Sequence, residues 1–91
     1  MIDEYYLFTF ESTHGAISTE KLLKPVGCTI MPVPRAISTS CGIAVRIEPD
    51  RLDAALPVFR DGTALTADEY RLYHIRSDKA SDLFEHTPVE V

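Results

Sequence analysis

Cys41 lies in Pro34-Arg35-Ala36-Ile37-Ser38-Thr39-Ser40-Cys41-Gly42, a polar loop that opens directly into the apolar run Ile43-Ala44-Val45-Arg46-Ile47. A thiol preceded by hydroxyls, followed by glycine and with Arg35 upstream is expected to be partly exposed beside positive charge, the setting in which cysteine acts as a nucleophile. Ser38 and Ser40 would donate hydrogen bonds to its thiolate, and Arg35 would meet an anion or carboxylate. The competing reading is a small apolar residue tucked in at a strand start, since cysteine is among the most buried residue types. Cys28 follows Gly27 and begins an apolar run, where an inert buried thiol is the expected reading; a resolving role toward Cys41 stays open. No CxxC pair or Cys/His cluster with zinc spacing is present, so no metal site and no cofactor are expected.

The elements that must position this loop follow from pattern. Glu4 to Phe10 is dense in aromatic and β-favouring residues and reads as a strand. Ser12 and Thr13 offer capping hydroxyls to a helix running to Val26. It carries Ala16, Thr19, Leu22, Leu23 and Val26 on one face, with Glu20, Lys21 and Lys24 opposite. Pro25 and Gly27 stop it. Cys28 to Val33 reads as a second strand, edge-placed because of its prolines, and Gly42 to Glu48 alternates as a half-buried third. Pro49 opens a second helix with Leu52, Ala55, Leu56 and Phe59 as its apolar stripe, which Pro57 is expected to kink or end about midway. Glu69 to Arg76 reads as a fourth strand. Residues 77–91 are polar and weakly patterned, a tail with at most one docked turn at Ser81-Asp82-Leu83-Phe84.

The order β-α-β-β-α-β predicts an α+β domain over residues 1–76: a ferredoxin-like four-stranded antiparallel sheet with two helices on one face. In that topology the start of the first helix and the loop holding Cys41 share one end of the sheet. His14, whose imidazole can give or take a proton, is thereby expected to approach Cys41 as a proton donor or acceptor, together with Ser12, Thr13 and Arg35. The sheet face without helices would expose part of the aromatic first strand, with Leu7 and Ala44, and a homodimer through it is the expectation.

Composition limits the partners. The chain has 91 residues, 45% hydrophobic and 25% charged, and a formal net charge of −5 with its nine basic residues scattered. Nucleic acid, which needs clustered Lys and Arg, is therefore not an expected partner. No apolar run approaches the ~20 residues that cross a bilayer, and the acidic start Met1-Ile2-Asp3-Glu4 is not a signal peptide. No membrane association is expected, and the expected location is cytoplasmic, where thiols stay reduced.

The run Phe8-Thr9-Phe10-Glu11-Ser12-Thr13-His14, the helix segment Glu20-Lys21-Leu22-Leu23 and above all Pro34-Arg35-Ala36-Ile37-Ser38-Thr39-Ser40-Cys41-Gly42 resemble the small bacterial DUF3343 family of selenium/sulfur carrier-like proteins. The resemblance covers about residues 5 to 75. It implies a carrier rather than a turnover enzyme. Cys41 would hold sulfur or selenium as a persulfide or selenosulfide, between a donor protein and an acceptor enzyme. Ala36, where an acidic residue is usual, leaves Arg35 without a carboxylate neighbour in the loop. Two other readings stand beside it. One is a small-ligand or anion-binding regulatory module of the same fold with a structural cysteine. The other, weaker, is an acylphosphatase-like hydrolase, whose catalytic asparagine has no counterpart in a chain without asparagine.

Overall fold

In the computed structural model, which describes residues 1–91, β1 (Asp3–Phe10) occupies the middle of a five-stranded sheet and sorts its side chains by alternation. Tyr6, Phe8 and Phe10 point to the helix side, and Tyr5 and Leu7 to the other. The remaining elements are α1 (Thr13–Leu23), β2 (Thr29–Pro32), β3 (Ile43–Ile47), a 3-10 turn at Pro49–Arg51, α2 (Leu52–Gly62), β4 (Tyr70–Asp78) and β5 (Leu83–Val89). All pairings are antiparallel, in the order β2-β3-β1-β4-β5. No helix is long and apolar enough to cross a membrane.

Ala16 and Leu23 of α1 and Ala55 and Phe59 of α2 join Phe8, Phe10, Val45, Ile47 and Leu72 in one buried cluster, so both helices cover the same sheet face. Phe59 is its centre, stacked on Phe8 at 4.6 Å between ring centroids and edge-on to Tyr70 at 4.8 Å. Ser12 caps α1, its hydroxyl accepting from the Gly15 N–H at 3.1 Å, as the sequence predicts. Ser12→Ala is expected to lower stability by about 1 kcal/mol, measured as a reduced urea midpoint with an unchanged slope. At the other end Gly27, with φ of +104°, closes the helix by donating to the Leu23 carbonyl.

Three expectations are corrected. The sheet has five strands, not four, because residues 83–89, read as part of a polar tail, pair with β4 along their length. The hairpin turn uses Asp78, whose carboxylate accepts from the Ala80 N–H, and Asp82 at φ of 57°. Aspartate tolerates that region without the glycine that usually signals it. The middle of β5 is exposed on both faces, which erases the alternation. Pro88 is allowed there because the strand is an edge.

Pro57 does not end α2, which runs on to Gly62. The carbonyl it leaves without a donor belongs to Asp53, an exposed residue that water can serve.

The face opposite the helices is not the open apolar surface expected for dimerisation. Tyr5, Leu7, Ala44 and Ile75 are buried there under Ile37 from the loop after β2, flanked by Met31, Val33, Tyr73 and Phe84. At its rim Arg46 bridges Asp3 and Glu48 and lies 4.1 Å over the Tyr5 ring.

Candidate functional site

The loop between β2 and β3 runs across the end of the sheet and is tied on both sides of it. Ile37 is 6% exposed and docks on the helix-free face. Beyond it the Thr39 hydroxyl donates to the Phe10 carbonyl at 2.6 Å, and Ser40 donates to the Glu11 carboxylate at 3.2 Å. Val33 N–H donates to the Gly42 carbonyl at 3.1 Å and closes the base of the loop. Cys41 then turns to the helix side and joins the cluster around Phe8 and Phe10.

Cys41 is 3% exposed, not partly exposed as its polar neighbours suggest. The physical reason is that Ser40 and Gly42 on either side take the solvent positions, which leaves the thiol to face inward under the first turn of α1. Its sulfur accepts from the Ile43 N–H at 3.4 Å, lies 3.6 Å from the Ile43 carbonyl as a donor, and is 3.7 Å from the Thr13 hydroxyl. The surroundings therefore serve both protonation states. A thiol donates to the Ile43 carbonyl, and a thiolate takes hydrogen bonds from the Ile43 N–H and the Thr13 hydroxyl at the positive end of the α1 dipole.

Of the residues expected to meet Cys41, Thr13 touches the sulfur and Ser12 holds the helix end that presents Thr13. Ser40 bonds Glu11 instead. Arg35 and Ser38 are exposed on the outside of the loop, and His14 is exposed on α1; none of the three is among the hydrogen-bonding partners of Cys41 Sγ. A Cβ added at Gly42 would meet nothing within 4 Å, so the chain beside the thiol is bare toward solvent.

The sequence reading passed over Ile37, Thr39 and the Ile43 N–H. Ile37 carried a signal, an apolar residue isolated in a polar loop. Thr39 looked like one more loop hydroxyl, and a backbone donor has no signature.

The register between β2 and β3 removes Cys28 as a resolving thiol. Thr29 pairs with Arg46 and Pro32 with Ile43, which puts Cys28 level with Ile47. Cys41 precedes Ile43, about 20 Å away along the strand direction. A disulfide needs Cα atoms within about 7 Å. Burial, and then the Glu20 carboxylate, push the Cys28 thiol above its ordinary range, with Lys24 opposing. In a Cys41→Ser background Cys28 is expected to alkylate with a pH–rate midpoint above that of free cysteine, since both causes favour the neutral thiol; a midpoint below it would contradict this environment.

Compared with known protein families, the chain matches the family described as "Putative Se/S carrier protein-like" over residues 5–71. It belongs to that family of Se/S carrier-like proteins. Searches of the curated proteins and of the solved structures gave no match.

Proposed function

We propose that the protein carries sulfur or selenium on Cys41, on a ferredoxin-like β-α-β-β-α-β scaffold to which β5 adds an edge strand. The strand order β2-β3-β1-β4 and the two helices on one face support that reading of the fold. The observation that carries the function is the pairing of family membership with the seating of Cys41 Sγ between the Ile43 N–H and the Thr13 hydroxyl.

The Cys41 thiolate attacks the outer sulfur of a donor persulfide. The donor's S–S bond breaks, its inner sulfur leaves as a thiolate with the electron pair, and a new S–S bond forms on Cys41. Delivery reverses these roles: an acceptor nucleophile takes the outer atom and Cys41 leaves as the thiolate. Each transfer is isoelectronic and requires no cofactor. The Ile43 N–H and Thr13 hydroxyl stabilise the leaving thiolate, and Arg35, exposed on the outer loop, pairs with an anionic group of a protein partner.

Incubated with a cysteine desulfurase and cysteine, the protein is expected to gain one sulfur atom by intact mass, lost again on treatment with dithiothreitol. No gain would overturn the proposal.

One observation favours a second reading, an anion-binding or regulatory module with a structural cysteine: the thiol is buried. That reading requires the thiol to stay sheltered under native conditions, whereas carriage requires the loop to open.

A further inference from the structure

A groove of about 390 Å³ lies between α1 and the end of α2 with the loop that follows it, at Gly62–Leu65. His14, Ser18 and Lys21 recur at helical spacing along its helix wall, and Thr63 stands on the loop wall. In a chain with 14 acidic and 9 basic residues, none of the groove's lining residues is a carboxylate. Lys21 has no carboxylate within ion-pair distance.

An independent observation comes from Thr19, also a lining residue. It is 1% exposed, and its hydroxyl is a buried side-chain polar atom without a hydrogen-bond partner. In a helix such a hydroxyl ordinarily bonds back to a carbonyl one turn earlier. Here Ser18 takes the Gly15 carbonyl at 3.1 Å, and Thr19 is left unpaired. An unpaired buried hydroxyl is destabilising, and one beside a lysine-bearing groove without carboxylates is suited to donate to an anion. Thr63 already accepts from the Leu65 N–H at 3.1 Å, which leaves its own proton to donate.

We infer that this groove binds a tetrahedral oxyanion of the phosphate class, free or as a phosphomonoester, with Lys21 supplying charge and Thr19 and Thr63 supplying donors. Two hydroxyls with protons free to donate and an ammonium, without competing carboxylates, match a ligand that is anionic and rich in acceptors. The site is separate from Cys41, and the inference does not rest on sulfur carriage.

The test is an amide chemical-shift titration of the full chain with inorganic phosphate, and in a second arm with glycerol 3-phosphate, at constant ionic strength balanced with chloride. Saturable shifts are expected at His14, Ser18, Lys21 and Thr63, with Cys41→Ser binding as wild type does. Tighter binding of the ester identifies a phosphomonoester as the ligand form; equal binding identifies the free ion. Thr19→Val and Lys21→Gln are each expected to weaken binding by roughly tenfold or more. Thr19→Val should melt no lower than wild type without ligand, and Thr19→Ser should retain binding. An absence of saturable shifts, or wild-type phosphate affinity in a folded Thr19→Val protein, would overturn the inference.

Discussion

Cys41→Ser is expected to abolish sulfur loading from a cysteine desulfurase, while Cys28→Ser loads as wild type does. The two cysteines are the only thiols in the chain, and the β2–β3 register holds them about 20 Å apart, so neither substitutes for nor resolves the other. Cys28 is further hindered because its thiol is held above the ordinary range by burial and Glu20, and it offers less thiolate at neutral pH. Loading of each variant by intact mass separates the outcomes. Wild-type loading in Cys41→Ser would remove Cys41 from the transfer altogether.

Ile37→Ala is expected to raise the alkylation rate of Cys41, measured in a Cys28→Ser background, by more than tenfold. A thiol that is 3% exposed reacts only when its loop opens, and the rate then follows the population of the open form. Ile37 is the buried apolar anchor in the middle of that loop on the helix-free face, clustered with Leu7 and Ala44, while Val33 packs at the loop's base. Deleting its side chain costs about 2 kcal/mol or more, enough to raise the open population roughly thirtyfold if that cost falls on the closed state alone. The Thr39 bond to Phe10 contributes about 1 kcal/mol beside it. Unchanged far-UV dichroism and a rate independent of low urea concentration would confirm local opening. A rate equal to wild type would show that Ile37 does not hold the thiol closed.

The β1-to-β4 frame was legible because each element carried a strong local signal: aromatic density in β1, the Ser12 cap, the alternation of β3 and the apolar stripe of α2. What was not legible has physical causes. β5 is an edge strand with an exposed middle, so burial imposed no period on it, and its turn uses Asp82 where a glycine would have marked it. The thiol's environment was misread because the polarity of Ser38, Thr39 and Ser40 describes the outer side of the loop, while Cys41 turns inward. Thr13 lies 3.7 Å from the sulfur, but sharing one end of a sheet is a coarser condition than contact, and neither His14 nor Arg35 is among the hydrogen-bonding partners of Cys41 Sγ.

The most direct measurement is the position of the transferred atom. Wild-type protein is loaded by a cysteine desulfurase, trapped with an alkylating reagent, digested and sequenced by mass spectrometry. The expected result is a trapped persulfide on the peptide containing Cys41 and a plain alkylated thiol at Cys28. A persulfide on Cys28, or none on either peptide under conditions in which the desulfurase loads a known acceptor, would contradict carriage by Cys41.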